Sequence, residues 1–514
     1  MSKKLIYNSL TATSLYVVNV VMMFVMSPVI IANLGNRDYG IWEIIICLVG
    51  YMGVLDLGVG PALMRYVAVA ESQHDKKSLQ EIVSSAQFFY LLVGMVSVLV
   101  LLIVGQFPHL IIGRESRDVA YLGKVLMLFT LNIGLYFPMI SLTAILMGLQ
   151  YHFLINITRI TTGIVRAVVV YNLLFSYPGK GLLILAMMEP IFNVVQFCVF
   201  ALILRRNKTI PPFSFAACSA RKMKELFTYG AKSAVLMVAS RIQTASLPFV
   251  ISNVVGVSQI VYFAMPNRLV GYAKDLSLAI GDPLTPYFAS NIGKRDSSSV
   301  RESWLQASLA LQTITLAMPF FLVFCGERFL SLWIGAEYGS AGRGVLFWLS
   351  AGLVVEAMAP NVSRILMATG NHGRAAITWL VLSCICIPLT AIGAMLWGIN
   401  GVAMGSSTII VLGSLITLHM ACSEVKISFA LYFRQTVLRL LAPLAALFLA
   451  LLATQGLLRP KSYLDLVLQV AASGTLYLVC VWFFTLTVKV RAAITDRLRL
   501  LLNRGGVPDG TSPS

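Results

Sequence analysis

The chain has 514 residues, of which 58% are hydrophobic and only 12% charged, and its 39 Lys and Arg outnumber 21 Asp and Glu for a net charge of +18. Soluble domains carry about 25% charged residues, so this chain lacks the charge to solvate a soluble surface and reads as an all-α polytopic membrane protein. The basic excess follows the loops on one side of the membrane, which reads as topology and argues against a nucleic-acid partner.

A helix crosses the hydrocarbon core in about 20 apolar residues. Apolar runs of that length predict spans at 10–33, 40–65, 81–105, 121–147, 155–177 and 181–204, then at 226–252, 258–289, 302–325, 343–367, 373–397 and 399–422, and finally at 434–455 and 463–488. That is fourteen transmembrane helices, the eighth long enough for part of it to lie outside the bilayer. The opening MSKKLIYNSL has a basic flank, but the apolar run behind it is too long for a signal peptide and lacks a small-residue cleavage pattern, so it reads as a retained first helix. Lys3 and Lys4, Lys76 and Lys77, the cluster from Arg205 to Lys224, Lys294 to Arg301, Arg374, Lys426 and the Arg-rich tail from Lys489 all fall on one side of this plan. The positive-inside rule puts that side, with both termini, in the cytoplasm. The opposite loops are short, the longest expected near 106–120 and 326–342.

The chain repeats itself. Pro28 and Asn33 match Pro248 and Asn253 at an offset of 220. Gly35, Tyr51, Gly60, Tyr66 and Ala68 match Gly256, Tyr272, Gly281, Tyr287 and Ala289 at 221. Ile145-Leu146-Met147, His152 and Gly181 match Ile365-Leu366-Met367, His372 and Gly401, again at 220. A six-helix lobe over 1–205 is thus followed by a connector over 206–225 with Pro211-Pro212, a second six-helix lobe over 226–425, two C-terminal helices over 426–488 and a basic tail over 489–514. Six is even, so the lobes are parallel repeats, an arrangement in which transporters place substrate between halves and alternate access by their relative movement. Pro28 and Pro248, at equivalent sites in the first helix of each repeat, are expected hinges.

Ionisable residues inside spans default to a cavity or a partner, because lipid-facing charges are costly. Arg159 and Arg166 are two turns apart on one face of the fifth span, with Thr162 and Gly163 between them. The sixth carries Glu189, Asn193 and Gln196 at i, i+4 and i+7. Arg241 lies near the centre of the seventh. In the eighth, Arg268, Asp275 and Asp282 form a stripe with Lys274 beside it. Glu356 sits in the tenth, and Glu43 and Asp56 in the second. The basic set, Arg159, Arg166, Arg241, Arg268 and Lys274, suits an anionic head group, since guanidinium forks match phosphate oxygens. Asp56, Asp275, Glu356 and Glu189 are expected to balance those charges or to bind a coupling cation, H⁺ or Na⁺. Any single one of these residues also reads as a structural ion pair. The methionines, such as Met22, Met23 and Met26, read as adaptable filler.

Residues 34–68, LGNRDYGIWEIIICLVGYMGVLDLGVGPALMRYVA, carry Leu34-Gly35, Tyr39-Gly40, Leu55-Asp56-Leu57-Gly58 and Arg65-Tyr66. This run resembles the polysaccharide-transport branch of the multidrug/oligosaccharidyl-lipid/polysaccharide (MOP) exporter superfamily. The resemblance implies the MOP fold shared with MATE-type exporters, and a flippase of O-antigen or exopolysaccharide precursors in the bacterial inner membrane. Its cargo would be an undecaprenyl-pyrophosphate-linked oligosaccharide carried through a cationic cavity. The family has no invariant catalytic set to carry over. Asp56 is expected to pair with a basic neighbour or to line the inner half of that cavity.

Three rivals stand beside this reading. A cation-coupled multidrug exporter of the same superfamily would commonly have twelve helices and an acidic residue in the first, whereas here that helix offers Ser14 and Asn19. A peptidoglycan lipid-precursor flippase shares the cationic cavity and fourteen helices. A membrane enzyme would need an acid/base or nucleophile constellation, and the five histidines make no HxxE or HxxxD pair. The eight cysteines form no CxxC and there is no Walker loop, so no metal, nucleotide or other cofactor is expected. The tail either lies on the membrane surface as a basic helix or anchors a disordered end, and glycan-assembly enzymes are the partners it would dock.

Overall fold

A computed structural model describes residues 3–107, 119–206, 213–281, 288, 297–458, 462–486, 491 and 495. No strand occurs among them. Asp282, part of the 206–225 connector and most of the tail beyond residue 486 lie outside the described residues. The helices are α1 (Lys3–Met52), α2 (Val59–Ser72), α3 (Lys76–Gly105), α4 (Val119–Gly148), α5 (His152–Ser176), α6 (Gly181–Arg206), α7 (Ala220–Val254) and α8 (Ile260–Gly281). They continue as α9 (Ser297–Thr315), α10 (Ala317–Trp333), α11 (Ala336–Ala357), α12 (Val362–Ala368), α13 (His372–Val425), α14 (Phe429–Gln435), α15 (Leu441–Leu458) and α16 (Tyr463–Cys480).

Eleven stretches are long and apolar enough to cross a membrane. Two of them, Leu10–Asp56 with 47 residues and Gly373–Val425 with 53, are each two spans joined at a break. The breaks are Gly35 in α1 and Trp397-Gly398 in α13. With these divided, and with the 22 residues of α8, which reach about 33 Å at 1.5 Å per residue, the described residues contain fourteen spans. Two expectations are corrected. The second span is not continuous over 40–65 but breaks at Gly53–Asp56. The loop expected at 326–342 shrinks to a turn at 334–335, because α10 runs to Trp333 and α11 starts at Ala336.

The internal repeat is written in the backbone. Gly35 (φ 71°, ψ 172°) and Gly256 (φ 126°, ψ 149°) sit in a region open essentially to glycine alone. The amides of Asn33 and Asn253 each donate back four residues, to the carbonyls of Val29 and Phe249, both at 2.8 Å. Gln150 (φ 63°) and Gly370 (φ 80°) are both left-handed, and each turns the chain through a bond to the carbonyl three residues back, Met147 at 3.0 Å and Met367 at 3.1 Å.

Contacts gather the chain into two compact units. The first comprises Met1–Asn267, Trp333–Leu349 and His372–Ile409. Leu63 and Val67 of α2, Leu79 and Tyr90 of α3, Phe137 of α4 and Phe200 of α6 form its buried core. The second comprises Arg268–Leu332, Ser350–Asn371 and Ile410–Ser514, with a core of Leu316, Leu440, Leu447, Leu451, Leu466 and Tyr477. In this second unit the helices break at Leu316, ahead of Pro319, and around Pro360. The Tyr477 hydroxyl donates to the Thr313 carbonyl at 2.6 Å. The Met358 carbonyl takes Gln312 Nε2 at 2.6 Å and the Tyr432 hydroxyl at 2.9 Å, and the Ala357 carbonyl takes the Thr315 hydroxyl.

Gly35→Ala places a methyl where nothing stands within 4 Å, so its effect isolates the backbone conformation, a loss of about 1–3 kcal/mol. Thermal unfolding of the purified protein should show a lowered midpoint for Gly35→Ala and none for Gly123→Ala, whose surroundings are equally open in helical backbone. Equal midpoints would refute the strain argument.

Candidate functional site

The chain's second span holds the first element of the site. Gly53–Asp56 is a turn of 3-10 helix, Leu57 (φ 50°) and Gly58 (φ 77°) are left-handed, and α2 restarts at Val59. Asp56, 6% exposed, accepts from the Gly60 amide at 3.1 Å and from the Tyr90 hydroxyl of α3. The carboxylate thus caps a helix start whose amides lack partners of their own. Asp56 was expected to pair with a basic neighbour or to line the inner half of the cavity; its described partners are backbone amides at the restart of α2 and this hydroxyl. Glu43, also buried, accepts from the Tyr39 hydroxyl at 2.6 Å.

Glycines let this span approach α7 closely along its length. A Cβ on Gly40 would collide with the Val257 carbonyl just beyond α7, and one on Gly58 with the Gly230 backbone. One on Gly50 would stand 3.6 Å from Arg241 Nη1, so the Arg241 guanidinium lies beside the bare backbone there. The Tyr136 hydroxyl of α4 is within electrostatic reach of both Arg241 and Asp56. Five residues along α7 from Arg241, the Ser246 hydroxyl bonds that of Tyr51. At the far end Arg65 lies 4.5 Å from the centre of the Tyr229 ring, a cation–π contact. Arg241 is exposed and has no hydrogen-bond or ion partner among the described residues.

The polar stripe of α6 ties down three contacts. Glu189 Oε1 meets Arg166 Nη1 at 2.5 Å, Gln196 Nε2 donates to the Thr162 hydroxyl at 2.9 Å, and Asn193 Nδ2 to Asn132 Oδ1 of α4 at 2.5 Å. Glu189 therefore balances charge, and Arg166 is paired. Gly163 faces Met22 of α1. Arg159, half-buried two turns from Arg166, has no hydrogen-bond or ion partner among the described residues.

In the second unit Lys274 Nζ meets Glu356 Oε2 at 2.7 Å, so this pair too is neutralised. Asp275 is exposed and Arg268 half-buried on α8. Pro28 and Pro248 lie inside α1 and α7 as expected. Sequence reasoning missed Arg364, the most deeply buried arginine described here, at 4% exposure. Its Nη1 donates to the Pro360 carbonyl at 2.8 Å and its Nη2 to the Leu278 carbonyl at 3.0 Å, and its guanidinium lies against Gly281. The available signals were its place four residues after an in-span proline and the repeat glycine that makes room for it.

The sequence profile of a family described as "Polysaccharide biosynthesis protein" matches residues 5–292. A Shigella flexneri protein named "Putative O-antigen transporter" is 24% identical over 395 residues, which are 75% of this chain and 90% of the relative. Among solved structures, the lipid II flippase MurJ in an inward closed conformation is similar at a TM-score of 0.71 and 15% identity, covering 93% of this chain and 98% of that one. An inward-facing multidrug resistance MATE family transporter of the MOP superfamily is similar at a TM-score of 0.70 and 14% identity, covering 79% and 94%. These likenesses show the fold, that of the MOP superfamily.

Asp56→Ala removes the acceptor of a buried hydroxyl and a buried amide, at about 1–3 kcal/mol per stranded group. Asp56→Asn keeps an acceptor oxygen, so thermal unfolding should rank the alanine variant well below the asparagine one. Equal losses would mean that the negative charge, and not the acceptor, matters at this position.

Proposed function

The chain belongs to the polysaccharide biosynthesis protein family, and on that premise we propose that it flips an undecaprenyl-pyrophosphate-linked oligosaccharide from the cytoplasmic to the outer leaflet of a bacterial inner membrane by alternating access. One observation carries this reading. Arg159 and Arg241 are guanidinium groups within transmembrane helices that have no hydrogen-bond or ion partner among the described residues, whereas Arg166 and Lys274 each have a carboxylate. A cation left unpaired at bilayer depth is costly, so these two call for an anion that the protein does not itself supply. Planar guanidinium forks suit a pyrophosphate, bidentately and at any working pH. The same cations disfavour a cationic drug as cargo.

A peptidoglycan precursor carries the same pyrophosphate, so the arginines alone do not choose the glycan. The family and the resemblance to an O-antigen transporter favour an O-antigen or exopolysaccharide unit. The distribution of basic residues supports cytoplasmic termini. With Glu189 and Glu356 occupied in ion pairs, Asp275 is the better candidate of the four acids for a coupling H⁺ or Na⁺, and Asp56 the more structural. Glycan-assembly enzymes are the proposed partners of the cytoplasmic face. No residue is assigned a catalytic role.

Mass spectrometry of polyprenyl-linked glycans from cells depleted of the protein should show a pyrophosphate-linked oligosaccharide accumulating, and wild type should clear it. Arg159→Gln and Arg241→Gln, present at normal levels in the membrane, should fail to clear it by an order of magnitude or more. An unchanged lipid pool together with raised sensitivity to cationic drugs would overturn the assignment in favour of multidrug export.

A further inference from the structure

Helix α1 contains Pro28, and a proline has no amide to bond the carbonyl four residues back. That carbonyl belongs to Phe24. Inside a bilayer an unmet carbonyl is costly, and a helix tolerates proline there because some neighbouring group supplies the donor. Here the donor is identifiable: the indole Nε1 of Trp333 donates to the Phe24 carbonyl at 2.7 Å. The Trp333 ring, 8% exposed, also packs on the Phe24 ring with centroids 4.9 Å apart.

The same short turn grips α1 a second time. Trp333 ends α10, Gly335 (φ 144°) turns the chain, and the Tyr338 amide closes the turn on the Gly335 carbonyl at 3.1 Å. The Tyr338 hydroxyl then donates to Asn36 Oδ1 at 2.7 Å, and Asn36 Nδ2 donates to the Tyr262 hydroxyl at 2.8 Å. Trp333 holds α1 before Pro28, and Tyr338 holds it just after the Gly35 break. The segment from Pro28 to Gly35, flanked by a missing amide and a glycine-only backbone, is thereby clamped at both ends by one turn.

We propose that Trp333 is the positioning residue of the first helix, its indole N–H standing in for the amide that Pro28 lacks and so setting the bend of the Pro28–Gly35 segment. A backbone amide could not let go without unwinding the helix, whereas a side-chain donor can. The bend is therefore releasable: when Trp333 withdraws, the Phe24 carbonyl must find water or another donor, and the segment is free to swing. The counterpart proline, Pro248, leaves the Thr244 carbonyl in the same position, but no comparable side-chain donor to it is described, so the two expected hinges differ in kind. That the swing serves transport rests on the flippase reading; that Trp333 sets the bend does not.

The test follows from the chemistry. Ile31 lies within the clamped segment and is 3% exposed. In purified protein carrying Ile31→Cys in nanodiscs, maleimide labelling of residue 31 is followed by peptide-resolved mass spectrometry. The buried native thiols Cys325, Cys386 and Cys422 serve as internal controls. Trp333→Phe keeps a six-membered ring on Phe24 and removes the N–H with the small five-membered part of the indole, and loss of the hydrogen bond should raise labelling of residue 31 roughly fivefold while the three native thiols stay protected. Pro28→Ala restores the backbone amide, so in that background Trp333→Phe should change labelling less than about twofold. Unchanged labelling in Trp333→Phe alone, or an equal effect in both backgrounds, would overturn the proposal in favour of plain ring packing. If all thiols became reactive together, global unfolding would replace it as the explanation. Labelling reads the bend without any cargo, so a failure here is separable from a failure of the glycan-lipid experiment.

Discussion

A backbone carbonyl in the hydrocarbon core has no water to turn to, so each place where a helix of this chain breaks must be matched by a donor from elsewhere. Each mismatch would cost several kcal/mol, a large share of the total stability of an ordinary fold. Several of the described breaks are matched in this way. Trp333 serves Phe24 behind Pro28, Gln312 and Tyr432 converge on Met358, Arg364 reaches Pro360, and Tyr477 reaches Thr313. Asp56 answers the opposite need, an orphan amide at the restart of α2. Much of the buried polar chemistry is thus stitching for broken helices, and it is unavailable to a cargo.

The same accounting sorts the charges. Arg166 with Glu189, and Lys274 with Glu356, neutralise each other inside their own units. Arg364 is satisfied largely by carbonyls. Among the described cations of the candidate set, Arg159 and Arg241 are the two without a hydrogen-bond or ion partner. The narrowing comes from pairing, since depth alone would have kept all five basic residues. Arg241 lies alongside Gly50, where a Cβ would stand in ordinary contact at 3.6 Å from its Nη1.

Span number, the place of most spans and the repeat were legible in the sequence, because apolar length and unusual residues such as Pro28, Asn33 and Gly35 are local signals. The break at Gly53–Asp56 was not read, although Gly53, Gly58 and Gly60 around a carboxylate announce it in retrospect, since hydropathy averages over such a turn. The expected loop at 326–342 was a misreading of the same kind: Glu327, Arg328 and Glu337 lower the local hydropathy, yet they lie on helices that continue to Trp333 and resume at Ala336. Helix-face arguments put Arg166 and Thr162 on one face of α5, and both meet side chains of α6. They could not say which charges would find partners, because pairing depends on which helix lies alongside, and Trp333 as the donor for Phe24 lies 309 residues away in sequence.

The two halves keep one backbone plan and distribute different chemistry on it. At the repeat offset of 220, Arg166 and Glu189 correspond to Cys386 and Ile409, so the pair is present whole in one half and absent whole in the other. Losing one member alone would strand a charge at about 2.5–3.5 kcal/mol on insertion scales. Lys274 corresponds to Gly53 at the offset of 221 that holds over 35–68, and Glu356 to Tyr136 at 220, and a Cβ on Gly53 would stand 3.3 Å from the Tyr136 hydroxyl. The same helix contact is therefore made twice, once by an ion pair and once by a glycine beneath a phenol. The unpaired cations break the symmetry outright, since Arg159 corresponds to Trp379 and Arg241 to Val21. A strictly two-fold site would present matching surfaces to both ends of its cargo. A lipid-linked glycan has a charged junction between an apolar tail and a polar head, and a shared frame carrying unequal polar groups is the arrangement that can hold such a molecule in one orientation.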